Sequence, residues 1–308
     1  MVEKLTGLIA APHTPMHSDG RLHLDVVKAQ AALLRKEGVR GVFIGGTTGE
    51  GASLTFTERK ALTEAWASVT DSDLALIVHV GHNALHEACA LAEHAKASGA
   101  HATAALAPSF FKPADITTLV DVCATIARVT PDLPFYYYHI PSMTGVALSM
   151  PDFLRVAGPR IPNLAGIKFS TSDLMQFRSC LTLDNSRYTM FFGSDEMLLG
   201  AMAMGATGAV GSTYNYAAPN YVRMIQAYEE GDIEKAGKYA GHAVALVEVL
   251  IKYGVMQAGK AIMQMRGVNC GPVRLPLKPL SSTQKGQLFE EVRQLGIFKS
   301  VQLTPPEK

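Results

Sequence analysis

The run Leu164-Ala165-Gly166-Ile167-Lys168-Phe169-Ser170 is apolar until it ends in a cation and then a hydroxyl. A lysine so placed is a candidate nucleophile: burial destabilises an ammonium relative to its neutral amine, and a neutral amine can attack a ketone to form a Schiff base. Taken alone, Lys168 also reads as a strand-ending lysine that snorkels its charge to water. The polar residues at comparable places along the chain favour the chemical reading.

Gly45-Gly46-Thr47-Thr48-Gly49-Glu50 is a glycine-rich turn whose N–H groups and two hydroxyls can hold a carboxylate. It lacks the Gly-Lys-Ser/Thr ending of a nucleotide-binding loop. Phe135-Tyr136-Tyr137-Tyr138-His139-Ile140-Pro141 carries consecutive tyrosines that a strand must point to alternate faces. Tyr138, the last of them, is placed to give and take a proton, while Tyr136 and Tyr137 divide between packing and interior. Gly193-Ser194-Asp195-Glu196 and Gly211-Ser212-Thr213-Tyr214-Asn215 set carboxylates and hydroxyls beside glycines, as a polyol site needs; Asp195-Glu196 also reads as an acidic first turn of a helix. His79, His82 and His86 are the best candidates for a metal site, without an evident carboxylate partner.

These residues need a scaffold that brings distant segments together. Short apolar runs recur at 5–11, 39–45, 75–81, 102–107, 134–139, 164–169, 188–193 and 206–211, with helical patterns such as 57–69 and 83–98 between them. Gly38, Gly99 and Gly205 each stand just before a strand run, where a left-handed helix C-cap belongs. Strands buried on both faces and alternating with helices imply parallel pairing, and eight such units predict a closed (β/α)8 TIM barrel, with an open doubly wound sheet as the alternative. In such a barrel the site lies at the C-terminal ends of the strands. No strand run recurs after about Ala217, and 244–265 reads as one largely apolar helix. The predicted organisation is a single domain over 1–308, a barrel over about 1–230 and a C-terminal helical extension over about 231–308. The tail Thr304-Pro305-Pro306-Glu307-Lys308 reads as frayed.

Composition narrows the function classes. With 308 residues, 48% of them hydrophobic and 18% charged, the chain can bury a large core. Its 28 basic and 27 acidic residues give a formal charge of +1 without long runs, which argues against nucleic acid or an anionic membrane as partner and for a small molecule. Cys89, Cys123, Cys180 and Cys270 are far apart and read as reduced thiols. The N-terminus is too briefly apolar before Pro12 to serve as a signal region, so the expectation is a soluble cytoplasmic protein.

The set Gly46-Thr47-Thr48-Gly49-Glu50, Tyr138-His139-Ile140-Pro141, Gly166-Ile167-Lys168 and Gly211-Ser212-Thr213-Tyr214-Asn215 resembles, in order and spacing, the Schiff-base aldolase family of N-acetylneuraminate lyase and dihydrodipicolinate synthase. Tyr138 to Gly145 and Gly193 to Glu196 are closer to the lyase branch; the synthase branch has an arginine where Met143 stands, and methionine cannot make that charge-assisted contact. The resemblance implies a reversible carbon–carbon lyase that splits N-acetylneuraminate into N-acetyl-D-mannosamine and pyruvate through a lysine imine, with no cofactor or metal. It implies Lys168 as the imine-forming residue, Tyr138 as acid/base, and Thr47 and Thr48 on the substrate carboxylate, Thr48 also on the proton path. Ser170, Gly193, Asp195, Glu196, Gly211 and Ser212 would hold the sugar's hydroxyl tail. It further implies a homotetramer.

There are departures. Phe110 and Phe111 stand near a tyrosine that many members use in a relay between subunits, and Thr47 replaces a serine common in bacterial lyases. Two other readings compete: a pyruvate-dependent aldolase or dehydratase with another aldehyde, and a non-catalytic sugar-acid-binding barrel.

Overall fold

The computed structural model describes residues 4–305. Its eight strands are β1 (Gly7–Ala10), β2 (Gly41–Ile44), β3 (Ala75–His79), β4 (Ala102–Leu106), β5 (Phe135–His139), β6 (Leu164–Phe169), β7 (Thr189–Phe192) and β8 (Gly208–Gly211). They pair in parallel, in sequence order, and β8 returns to β1, so the sheet closes into a barrel and the open-sheet alternative is ruled out. The helices between them are α1 (Val26–Lys36), α2 (Phe56–Ala67), α3 (Leu85–Ala97), α4 (Ile116–Arg128), α5 (Pro141–Thr144), α6 (Met150–Ala157), α7 (Leu174–Leu181), α8 (Leu198–Ala203) and α9 (Tyr214–Glu229). α10 (Ile233–Tyr253), α11 (Val255–Met265) and α12 (Ser282–Gln294) follow.

Local chemistry sets the boundaries. Thr55 and Glu58 form a reciprocal capping box that starts α2, and Asp115, Ser149 and Asp173 cap α4, α6 and α7 through side-chain oxygens. Gly38, Gly99 and Gly205 have φ of +80°, +88° and +100°, the left-handed conformation that ends a helix at least cost in glycine. The expected single helix over 244–265 is two: Gly254, at φ +88°, breaks it, and α10 and α11 meet at 114°. No single helix among the described residues is long and apolar enough to cross a membrane. Part of the tail is tied down, since the Thr304 N–H donates to Met265 O at 2.8 Å; residues 306–308 lie outside the described residues.

Two apolar layers result from the alternation of strand side chains. The outer one packs strands such as Val42, Leu76, Tyr137, Ile167 and Phe192 under the helices, with Trp66, Phe153 and Phe177 fully buried. The inner one fills the barrel with Ile9, Phe43, Ile77, Ala104, Tyr136, Tyr138, Phe191 and Val210. The chemistry sits at the upper end of this inner layer.

Candidate active site

Lys168 lies on β6, only 4% exposed. Its Nζ is 4.0 Å from the ring centre of Tyr138 and 4.2 Å from that of Phe43, and no ion pair engages it among the described residues. Both ring faces lie within about 6 Å of Nζ, the range of cation–π contact. Both rings belong to the inner layer, so the amine points into the barrel rather than to the helices.

An irregularity in β6 aims it there. Phe135 pairs with Leu164, but Tyr136 pairs with Gly166, so Ala165 is an extra residue and the register slips by one. Leu164 and Ile167 both pack outward, three positions apart, which strict alternation forbids. Past the slip, Lys168 falls opposite Tyr138 on the inner face. Gly166 is obligatory at the slip, because its φ is +158° and a Cβ would overlap the carbonyl of Thr189.

Tyr138 joins Lys168 to the glycine-rich turn. Its hydroxyl is 3.2 Å from Thr47 Oγ1, and its ring meets Phe43 and His79 edge-on at 5.3 and 5.8 Å. Thr47 is half-buried and Thr48 buried, directly after β2. Tyr136, on the same face lower in the barrel, has its phenol pushed up to about 12 by burial, partly offset by Thr189.

His79 is spent on the backbone. Its Nδ1 is 3.0 Å from Gly45 O, its Nε2 accepts from Leu106 N–H at 3.3 Å, and burial beside Arg59 holds it well below the usual imidazole range. No three His, Cys, Asp or Glu side chains group as a metal site would require among the described residues.

The opposite rim is built from β6, β7 and β8. Ser170 Oγ is buried without a hydrogen-bond partner among the described residues, and it packs on Gly193, where a Cβ would overlap it. Asp195 is buried, and its Oδ2 accepts from Thr213 N–H at 2.8 Å and Thr213 Oγ1 at 2.7 Å. Thr213 Oγ1 is also 2.8 Å from Tyr221 OH. A hydroxyl has one hydrogen, so the chain consistent with both contacts runs from Tyr221 to Thr213 to Asp195. Burial raises the Asp195 carboxyl above the ordinary range, the Thr213 bonds lower it, and the charges of Glu196 and Lys168 act on it in opposite senses. Gly211 lies against this carboxylate, and a Cβ there would overlap Oδ1. Glu196 and Ser212 are half-buried beside it.

The model of the dihydrodipicolinate synthetase family matches residues 4–295. The chain belongs to that family. It is 41% identical over 280 residues to the N-acetylneuraminate lyase of Gallus gallus, covering 89% of this chain and 91% of that one. It is similar to the solved N-acetylneuraminate lyase (sialic acid aldolase) of Aliivibrio salmonicida, with a TM-score of 0.95 and 42% identity over 97% of this chain and 100% of that one. The Proteus mirabilis N-acetylneuraminate lyase gives 0.93 and 39%, covering 96% and 100%.

Phe43 and Tyr221, participants in this family member's site, escaped sequence reading, and Thr213 was marked only as part of a motif. Phe43 forms the second face over Lys168, and Thr213 and Tyr221 hold Asp195. The period-2 pattern of β2 gives Phe43 an inner or outer face but no partner, and nothing local marks Tyr221. Phe110 and Phe111, after β4, are 79% and 85% exposed and meet edge-on at 5.0 Å; Met143 is 62% exposed.

Proposed function

We propose that this protein is a Schiff-base aldolase that reversibly cleaves N-acetylneuraminate to N-acetyl-D-mannosamine and pyruvate. The observation that carries the reading is the buried amine of Lys168 over the Tyr138 ring, with the Tyr138 hydroxyl bonded to Thr47. The names of the relatives at about 40% identity support the choice of sugar acid.

Lys168 Nζ adds to the C2 ketone of the open-chain substrate, and loss of water leaves the protonated imine. Thr47 and Thr48 hold the adjacent carboxylate, with Thr48 also on the proton path. Tyr138 gives its phenol proton to the substrate carboxylate as it takes the C4 hydroxyl proton, C3–C4 breaks, and the bond's electron pair passes into the imine as an enamine while the aldehyde leaves. Protonation at C3 and hydrolysis release pyruvate and regenerate Lys168. The imine is the electron sink, so the chemistry calls for no metal. Ser170, Gly193, Asp195, Glu196, Gly211 and Ser212 contact the hydroxyl tail, for which the unpartnered Ser170 hydroxyl is the clearest support.

The chain is read as one domain, a barrel to about residue 230 with an extension over 231–308, working in the cytoplasm as a homotetramer. The free state of all four cysteines supports the compartment.

The test is borohydride reduction with pyruvate followed by peptide mapping. A reduced pyruvate adduct on Lys168, with N-acetylmannosamine as the productive aldehyde, is the expected result. No adduct on any lysine would overturn the mechanism and leave a binding barrel.

A further inference from the structure

The turn that carries Thr47 and Thr48 is tied to the C-terminal extension by a buried ion pair. Lys260 Nζ, on α11, is 2.8 Å from Glu50 Oε1, and each side chain is 3% exposed. Lys260 also donates to Pro272 O at 2.6 Å, and the Arg274 N–H donates to Glu50 Oε2 at 2.8 Å. The Arg274 guanidinium grips Glu58 of the α2 capping box, with Nη1 to Oε2 at 2.8 Å, and the carbonyl of Ser53 at 2.8 Å. Residues 260–274 therefore hold the middle of the connection between β2 and α2 and the first turn of α2.

Glu50 is in the left-handed region, φ +52° and ψ +30°, a conformation that glycine adopts freely and glutamate does not. Its N–H donates to Thr47 O at 3.0 Å, so the same strained residue sets the peptide plane of Thr47. Next to it, Gly51 N–H donates to Gly46 O at 3.1 Å, and a Cβ on Gly51 would overlap Gly45 O. These two backbone bonds close the turn around Thr47 and Thr48. Strain of this kind persists only where the surroundings over-determine it. A buried ion pair is a poor means of gaining stability, since two well-packed apolar side chains often do as well, but it fixes the distance between the two segments that carry it.

We infer that Glu50 and Lys260 are positioning residues, whose ion pair holds the turn in its left-handed form and so aims Thr47 and Thr48 at the substrate carboxylate. The inference rests on the imine reading of Lys168. The extension then acts on the site through the turn.

The test compares wild type with the Glu50→Gln/Lys260→Met double variant, which removes both charges at similar volume and leaves neither buried alone. The readout is the pyruvate concentration that half-saturates borohydride-trapped adduct on Lys168 during a short fixed exposure. The expected result is a rise of about tenfold, the loss of roughly one well-aimed hydrogen bond to a charged group, with the same adduct yield at saturating pyruvate. Near-UV circular dichroism establishes that the variant is folded. Should the double variant not fold, Glu50→Asp, which keeps the charge but shortens the reach, is expected to shift half-saturation in the same direction. A lowered melting temperature with unmoved half-saturation, in whichever variant folds, overturns the inference while leaving the imine reading intact. No adduct in wild type overturns the imine reading, and this inference with it.

Discussion

Lys168 Nζ stands 4.0 Å from the ring centre of Tyr138, its register partner on the neighbouring strand. Because adjacent parallel strands hold such partners side by side, the nucleophile and the phenol are spaced by the sheet itself rather than by a loop. Their relative position is then as rigid as the barrel.

Tyr138→Phe keeps the ring over Lys168 and removes only the hydroxyl that meets Thr47. Turnover should fall by about 10² to 10⁴, while the borohydride adduct on Lys168 still forms. An unchanged steady-state rate would remove Tyr138 from proton transfer.

Gly166→Ala tests the slip in β6. A Cβ there overlaps Thr189 O, so the variant must either flatten the irregularity or push β7 away. We expect loss of the Lys168 adduct in a protein whose far-ultraviolet circular dichroism is still that of a barrel. Full adduct yield would mean that the aim of Lys168 does not depend on the slip.

Asp195 has a structural bond to keep as well as a proposed sugar contact. Asp195→Ala strands the Thr213 N–H and the hydroxyl chain from Tyr221, at a cost of roughly 1–3 kcal/mol per buried group. Asp195→Asn retains an acceptor and should melt close to wild type, yet weaken the sugar acid more than pyruvate. Equal losses for both ligands, measured by competition against trapping, would take Asp195 out of sugar recognition.

His139, buried between Tyr137 and Phe169, is lowered from 6.5 to about 4 by burial, with Asp173 offsetting part of it. His13 moves the same way, to about 3, through burial and the nearby Lys260. Between the folded and unfolded values the unfolded chain binds more protons, so acid favours unfolding. The stability from a neutral His139 is complete above about 6.5 and is lost as pH falls through about 4. His139→Phe should therefore lessen the fall in urea midpoint between pH 7 and pH 4.5, each unit of depression being worth about 1.4 kcal/mol. Parallel pH profiles for variant and wild type would contradict this.

The barrel was readable because its signals are local. Each of the eight apolar runs contains one strand: β6 fills its run and the other seven are one to three residues shorter. Gly38, Gly99 and Gly205 marked helix ends because their backbone conformation excludes other residues at low cost. Gly254 sits within an otherwise apolar helical pattern, and the break there follows from its backbone rather than from hydropathy.

The sequence by itself determined the strand and helix order and the residue types at the strand ends, which depend on neighbours within a few positions. It did not determine where Lys168 points. Alternation starting from an outward Leu164 would send Lys168 outward too; only the pairing of β6 between β5 and β7, with Ala165 extra, turns it inward. The same holds for Phe43 over Lys168, for Tyr221 behind Asp195 and for Lys260 against Glu50. Those contacts join segments far apart in the chain, and their strength comes from burial and direction, which exist only once the barrel has closed.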